Sequence, residues 1–534
     1  MLCRDVRSDL KRLVCFGAAL ALGFAAVLWI AAVTPRARLN VMQVASVVFL
    51  IIVVWRFRAS HRPVVSTEAN DGSEWALLAV GIVLGTLVWA TMLKFYFVGD
   101  DFGILAVAQA PFFSQVKSVF LHGDGGVFYR PLTFTSYFLD HAVWGATPVG
   151  YHLTNLLLHL VTVAGLYAFS RQLGLSRHSA AITSGIFAVM PIHAESVAWM
   201  SGRFDVLSTA MILWAATCYV WSRRKRTNGS YILVFVLIAL SIFSKETGFV
   251  LPVLLVAAEI LVFRTKPGWI MTGYFALAGL MFAYRFHALG GLGGYKPGGV
   301  SSALDISPKT FEGLLIRSPS QMLTGLNWTQ PGTTILIVAS LLASVLLLAA
   351  ICAEPDISRW AIVKLALFWS VITVVPAHFL SVIGPGLSNS RILYLPSVGI
   401  AMLLGQVVGA LRGQSLRKTV SVLLFALFSL GLWHNLSAWQ WTSQLVKTTL
   451  EVVTRTEPLP APQTQFVFSN LPDTVRGVFF FTTLNESLQM AYSRQDISAV
   501  RDSDIAILPN TSNARPQIRL LWKGDESALL VRRD

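Results

Sequence analysis

Long uncharged apolar runs follow one another through most of this chain, and they constrain its fold more than any other feature. A run of about 20 apolar residues is long enough to cross a bilayer as a helix. Only 13% of the residues are charged, whereas soluble proteins carry about a quarter. The sequence therefore predicts an all-α polytopic membrane protein of about thirteen transmembrane helices. These lie near 13–33, 40–55, 75–97, 150–170, 179–200, 205–222, 230–247, 248–263, 268–287, 333–353, 358–380, 392–411 and 417–434.

Basic residues cluster between these runs, on alternate connections. Cytoplasmic connections of membrane proteins carry an excess of Lys and Arg, so this pattern places the N-terminus in the cytoplasm. The run 13–33 is long enough to span a bilayer, and we expect it to be an uncleaved first helix. The basic clusters also account for the net charge of +15, and we expect no nucleic-acid partner. The clusters contain Arg4, Arg7, Lys11 and Arg12; Arg56, Arg58 and Arg62; Arg171 and Arg177; Arg223 to Arg226; Arg264 and Lys266; Arg359; and Arg412, Arg417 and Lys418.

Two large loops and a polar C-terminal region fall on the opposite side. The sequence predicts a transmembrane domain over 1–434, with outer loops at 98–149 and 288–332, and a small mixed α/β extracytoplasmic domain over 435–534. In the first loop, apolar residues near 116–120 and 132–138 predict two short interfacial helices. In the last domain we expect strands at 465–469, 477–483, 504–508, 517–522 and 528–532, and a helix at 486–494.

No metal-ligand pattern stands out. The cysteines are Cys3, Cys15, Cys218 and Cys352, which form neither a disulfide framework nor a CxxC motif. The adjacent Asp100 and Asp101 could hold a divalent cation, but no further acid or histidine follows at ligand spacing. We therefore expect no obligatory metal.

Polar clusters mark the predicted outer ends of several helices. Each alone has a structural explanation: Arg203 could pair with Asp205, Lys245 with Glu246, and His193 could be a core imidazole. Their convergence on one face favours a functional site. The clusters are Asp100–Asp101, Arg130, His193–Glu195 leading into Gly202–Asp205, Ser244–Glu246, and Ser390–Arg391 ahead of Leu393–Ser397.

These residue types suit transfer of a group from a lipid-borne phosphate. A carboxylate at the water boundary can deprotonate an acceptor hydroxyl or amine. Arginine and lysine can stabilise the negative charge that develops on a departing phosphate. Because a polyprenyl tail can stay in the bilayer while its sugar reaches the outer aqueous side, the pattern favours glycosyl transfer.

Seven motifs, in order, resemble one known family. The sequence looks like the membrane part of the tetratricopeptide-repeat O-mannosyltransferases and their bacterial relatives, which belong to the C-type superfamily of integral-membrane glycosyltransferases. The resemblance covers roughly 95–255 and 389–400, without the repeats. The motifs are Asp100-Asp101, Tyr129-Arg130-Pro131-Leu132, Tyr151 to His159, Pro191 to Trp199, Gly202-Arg203-Phe204-Asp205, Ser244 to Gly248, and Arg391 to Ser397.

The resemblance implies roles for the matching residues. Asp100 or Asp101 would be the catalytic carboxylate, and the family pattern does not decide between them. Arg391 would bind the donor phosphate. Ser390 stands where eukaryotic relatives tend to have Glu, so the residue that braces Arg391 is left open. Arg130, Arg203 and Lys245 would line or brace the same cavity, and His193 and Glu195 would orient the acceptor or the arginine. Glu246 and Tyr394 complete the predicted substrate-binding residues.

The sequence thus predicts a glycosyltransferase that uses a polyprenyl-phosphate sugar on the outer face of a bacterial inner membrane. Its acceptor would be a glycan, a lipid or a protein. One alternative is a polysaccharide polymerase or ligase with a lipid-diphosphate donor. Another is a flippase or transporter of lipid-linked sugars, although transporters place their charges near the bilayer midplane.

Overall fold

The structure is a computed structural model that describes residues 72–123, 128–225, 229–293, 314, 317–329, 360–378, 383–384, 386–411, 413–505, 516–523 and 530–533. The predicted spans 13–33, 40–55 and 333–353 lie outside these residues, as does most of the predicted loop 288–332. Within the described part, the chain is mostly helical.

Seventeen α-helices are described. They are α1 (Ser73–Trp89), α2 (Asp101–Val107), α3 (Phe112–His122), α4 (Pro131–Trp144), α5 (Pro148–Leu173), α6 (Arg177–Val189), α7 (Ala194–Ala198), α8 (Arg203–Lys225), α9 (Gly229–Ser244), α10 (Leu251–Ala258), α11 (Ile270–Leu289), α12 (Ser318–Thr324), α13 (Trp360–His378), α14 (Ser397–Gly409), α15 (Gln414–Thr456), α16 (Leu484–Tyr492) and α17 (Asp502–Ile505). Short 3-10 turns cover Ala90–Lys94, Pro191–His193, Met200–Gly202, Glu246–Val250 and Ser390–Leu393, and a π turn covers Glu259–Phe263.

Several of these helices can cross a membrane. By length and composition, five spans within the described residues qualify, or up to seven if two bent pairs each form one span. The count of about thirteen therefore stays a prediction. The qualifying spans are Ser73–Lys94, Pro148–Leu173, Met200–Lys225, Glu246–Phe263 and Gln414–Thr456, and the bent pairs are α2 with α3 and α6 with Pro191–Ala198.

One predicted span, 179–200, is interrupted. Helix α6 ends at Val189 and Met190 is extended, with ψ at 124°. The reason is Pro191, because the residue before a proline is disfavoured in the helical region. The chain beyond it turns by 46°. After this break, residues 191–202 form a buried series of short helical turns that includes α7.

Successive helices run in opposite directions, so the connections between them lie alternately at two ends of the bundle, called here the basic end and the site end. The basic end carries the connections α5–α6, α8–α9 and α10–α11, with Arg171, Arg177, Arg223 and Lys266. The site end carries the turn before α2, the 191–202 turns, the start of α8, the α9–α10 turn and the turn before α14. All five predicted polar clusters lie at the site end.

Helix α15 continues well past 434. At 43 residues it is about 65 Å long, roughly twice the hydrocarbon thickness of a bilayer. Its second half carries the C-terminal domain, where Tyr492 donates a hydrogen bond to the Val453 carbonyl, at 3.2 Å. Trp439 on this half packs against Trp199 of the site end, with ring centres 6.1 Å apart.

The C-terminal domain is a small mixed sheet with helices. Strands β1 (Gln465–Ser469), β4 (Ser498–Arg501), β5 (Gln517–Trp522) and β6 (Leu530–Arg533) form one sheet in the order β4-β1-β5-β6, and β2 (Thr474–Val475) pairs with β3 (Val478–Phe479). β1 is parallel to β4 and β5, whereas β6 is antiparallel to β5. The strand predicted over 504–508 is wrong at its start, because Asp504 lies in α17; residues 506–508 are outside the described part.

Candidate active site

A cavity of about 750 Å³ opens at the site end. Its wall comes from α2, α3, α4, the start of α8 and one residue of the C-terminal domain, Thr483. Asp100 and Arg130 are the charged residues of this wall, within the described chain. The remainder is apolar or neutral, and includes Ile104, Val107, Phe128, Phe134, Phe138 and Phe204.

Asp100 is the residue immediately before α2, and it lines the cavity. An aspartate at this position commonly accepts a hydrogen bond from an N–H of its own helix. Asp100 accepts none, and its carboxylate has no hydrogen-bond or ion-pair partner in the part of the chain that the structure describes. It is a partly exposed carboxylate whose lone pairs remain available to a ligand.

Asp101 is fully buried and has a different environment. Its Oδ2 accepts the Val98 N–H at 3.0 Å. Its Oδ1 accepts the backbone N–H and the hydroxyl of Ser201, at 3.2 Å and 3.0 Å. Asp101 therefore ties the turn before α2 to the 3-10 turn before α8, and the two neighbouring aspartates are not equivalent.

Arg130 is held by Glu246. Its Nε donates to Glu246 Oε2 at 2.9 Å and a terminal amino group donates to Oε1, which is the two-pronged geometry that arginine forms with carboxylates. The Phe128 and Phe204 rings flank the guanidinium, with centres 4.0 Å and 4.8 Å from its Cζ. Glu246 and the two rings therefore hold the Arg130 guanidinium in one orientation on the cavity wall.

The other cations pair differently from the sequence-based alternatives. Lys245 donates to Asp205 at 2.5 Å, not to Glu246. Arg203 pairs with Asp140 at 2.5 Å and donates to Asn155 Oδ1 at 2.7 Å. The structural alternatives Arg203–Asp205 and Lys245–Glu246 are therefore not the pairs that form. Arg203 and Lys245 are both buried and lie outside the cavity wall, so they brace the surrounding helices.

Glu195 supplies the brace for Arg391. The buried Glu195 carboxylate accepts from the Arg391 guanidinium at 2.5 Å, from the Arg391 backbone N–H at 3.3 Å and from the Ser390 hydroxyl at 3.0 Å. The guanidinium also lies over the Trp199 ring, 4.9 Å from its centre. Arg391 is thus oriented, but it does not line the cavity.

His193 and Tyr394 lie deeper in the bundle. His193 Nε2 is 2.8 Å from the Ser397 hydroxyl, and its ring packs 4.6 Å from that of Tyr394. The Tyr394 hydroxyl is 2.7 Å from Nδ1 of His159. All of these side chains are fully buried, so they join α5, the turn Pro191–His193 and the start of α14.

Trp199 links the aspartate turn to Arg391. Its indole N–H donates to the Val98 carbonyl at 3.2 Å, two residues before Asp100. The Trp199 ring also packs against Phe479 of the C-terminal domain, with ring centres 5.3 Å apart, and against the Arg391 guanidinium. Trp199 therefore connects the aspartate turn with Arg391 at the same end of the bundle.

Two residues of this region carry no motif in the sequence. Thr483 reaches the cavity from the C-terminal domain. Arg285, near the end of α11, is buried and donates to the Leu292 carbonyl at 2.7 Å, and it lies close enough to interact electrostatically with Arg130 and Glu246. The sequence signal that could have indicated Arg285 is an arginine near the end of an apolar run.

Comparison with known proteins agrees with the motifs. Residues 135–288 match the family model described as dolichyl-phosphate-mannose-protein mannosyltransferase. The chain is 33% identical over 237 residues to the protein O-mannosyl-transferase Tmtc1 of Drosophila melanogaster. It is 39% identical over 100 residues to the protein O-mannosyl-transferase TMTC2 of Homo sapiens. The resemblance to this family is confirmed.

The extent of these matches is limited. They cover 44% and 18% of this chain, and the chain spans 26% and 12% of the length of the two relatives. The chain is also similar to the structure of ArnT from Cupriavidus metallidurans bound to undecaprenyl phosphate, at 14% identity over 85% of this chain and 93% of that chain, with a TM-score of 0.46. The family model does not reach Asp100, Arg130 or Arg391.

Proposed function

We propose that this protein is a membrane glycosyltransferase that moves a sugar from a polyprenyl-phosphate carrier to an acceptor hydroxyl or amine. One observation carries the proposal: Asp100 and Arg130 share a single cavity at the site end. The first is an unpartnered carboxylate and the second is a guanidinium oriented by Glu246. The mannosyltransferase relatives support the same reaction class.

Asp100 is assigned as the general base. Its carboxylate takes the proton from the acceptor, whose oxygen or nitrogen attacks the anomeric carbon of the sugar. The bond between that carbon and the phosphate oxygen breaks, and the polyprenyl phosphate leaves with the electron pair. General base catalysis of this kind contributes about 10²–10⁴ in rate.

Arg130 is assigned to the departing phosphate. Because Glu246 fixes its orientation before substrate binds, the cation needs no reorganisation when negative charge develops. Arg285 adds a second positive charge nearby. The phenyl rings of the cavity wall can hold the first isoprene units, since burying apolar surface contributes about 25 cal/mol per Å².

Arg391 is proposed to support donor binding from outside the cavity. Its guanidinium, braced by Glu195, lies on the Trp199–Phe479 surface beside the aspartate turn. Glu195 therefore fills the bracing role that Ser390 leaves open in the sequence. We place His193, Tyr394, Arg203 and Lys245 among the residues that hold these helix ends in register.

The site end is proposed to face away from the cytoplasm, because the basic connections lie at the opposite end. In a bacterium this is the periplasmic side of the inner membrane, with a glycan, lipid or protein as acceptor. We also propose that no divalent metal is required. A chelator should then leave the transfer rate unchanged.

The test uses the purified full-length protein in liposomes with polyprenyl-phosphate hexoses and candidate acceptors. Release of polyprenyl phosphate and the glycosylated product are followed by mass spectrometry. Asp100→Asn should abolish both, whereas Asp504→Asn, which changes an exposed aspartate of the C-terminal domain, should leave them unchanged. An Asp100→Asn variant with full activity would refute the assignment.

The same assay separates the alternatives. A polymerase or ligase would accept only diphosphate donors and release a polyprenyl diphosphate. A flippase would move the intact donor between leaflets and form no new glycosidic bond. Either result would replace the proposed function.

A further inference from the structure

The start of helix α2 is capped in an unusual way. Gly103, its third residue, has an N–H that no carbonyl of its own helix can accept. Asp100 precedes the helix, where a side chain normally accepts this N–H from an extended backbone, but the backbone of Asp100 is helical, with φ at −77° and ψ at −8°. Instead, the Gly103 N–H donates to the hydroxyl of Thr483, at 3.2 Å, from a residue 380 positions away.

The same hydroxyl holds the other side of the turn. Thr483 Oγ1 donates to the Gly99 carbonyl at 2.8 Å, so it bridges the residues before and after Asp100. Thr483 itself precedes α16, where a threonine usually caps its own helix, yet it makes no such bond. Its hydroxyl is committed to α2 instead.

Packing holds the two segments together. The Gly99 N–H donates to the Phe480 carbonyl at 2.9 Å, and the Phe102 and Phe481 rings stack with centres 6.5 Å apart. Gly99 has a φ of +58°, and a Cβ there would lie 3.1 Å from Cβ of Phe479. The aspartate turn is therefore fitted closely against residues 479–483.

We propose that Thr483 is a positioning residue that caps α2 in place of Asp100 and thereby leaves the Asp100 carboxylate available in the cavity. This inference rests on the proposed function of Asp100 as the base. Without the hydroxyl, the Gly103 N–H lacks its acceptor. Asp100 can supply one if its backbone changes from the helical conformation to the extended conformation of a capping residue. The Asp100 carboxylate then accepts the Gly103 N–H and no longer faces the acceptor substrate in the cavity.

Thr483→Val tests this, because it removes the hydroxyl and keeps the shape. We expect kcat about tenfold lower, the population shift that one N-cap hydrogen bond produces, with an unchanged KM for the donor. Thr483→Ser keeps the hydroxyl and should restore kcat. Thr474→Val makes the same change at an exposed threonine of this domain and should behave as wild type.

A structure of Thr483→Val gives a readout that does not depend on activity. We expect the Asp100 carboxylate within hydrogen-bonding distance of the Gly103 nitrogen. Wild-type kcat in the valine variant, or an equal loss in the valine and serine variants, would overturn the inference while the proposed function stands. If the wild type transfers no sugar, the proposed function fails, and the position of Asp100 in the variant structure alone decides the capping role.

Discussion

The substitution Asp101→Asn tests whether Asp101, unlike Asp100, contributes to the free energy of unfolding. The amide oxygen of Asn can still accept both Ser201 groups, but its NH₂ would face the Val98 N–H that Oδ2 now accepts at 3.0 Å. One buried hydrogen bond to a charged group is lost, which costs about 1.5–3 kcal/mol. The neutral amide is easier to bury, so we expect a net loss of about 2 kcal/mol.

The assay is thermal unfolding of the detergent-solubilised protein, with the transfer rate normalised to folded protein. Asp101→Asn should lower the apparent melting temperature by about 2 °C and keep measurable transfer per folded molecule. Asp100→Asn should unfold like the wild type and transfer nothing. The reasoning is refuted if Asp101→Asn is as stable as wild type but inactive while Asp100→Asn stays active, because the base would then be Asp101.

Two further predictions concern the arginines. Arg391→Ala should weaken donor binding about tenfold and leave acceptor KM unchanged, since it removes the attraction of a nearby positive charge for the donor phosphate. Donor titration is compared with acceptor kinetics, and an equal loss of both would indicate a structural arginine. Arg130→Lys keeps the charge but not the two-pronged contact with Glu246, so kcat should fall about 10–100-fold. The control is Arg494→Lys in the C-terminal domain. An unchanged kcat in Arg130→Lys would show that Arg130 does not stabilise the leaving group.

The helices were predictable because each apolar run carries its own signal. Their ends were predictable only where a local residue decides them. Pro191 stops α6 through the conformation of the residue before it, a signal that was present in the sequence. The continuation of α15 from 434 to 456 was not predicted, since a polar helix that leaves the bundle lacks the apolar run on which spans are recognised.

The ion pairs could not be predicted from spacing. Arg203 and Asp205 are neighbours in sequence, but Arg203 pairs with Asp140 on α4 and Asp205 with Lys245 beyond α9. Residues two apart on a helix are rotated by about 200° around the helix axis, so they lie on nearly opposite faces. The nearest opposite charge along the chain is therefore a poor prediction of the ion-pair partner. The convergence of these groups at one end followed from the alternation of helices and needed no knowledge of pairing.

The roles of Asp100 and Asp101 differ for the same geometric reason. Successive residues at a helix start diverge by about 100°, so when one side chain turns to the protein interior its neighbour faces another direction. Ser201 secures Asp101 from 100 residues away and Thr483 replaces Asp100 as the cap from 383 residues away, and no local pattern contains either fact. It follows that the C-terminal domain is part of the candidate site: the availability of the acid in the cavity depends on a hydroxyl that this domain supplies.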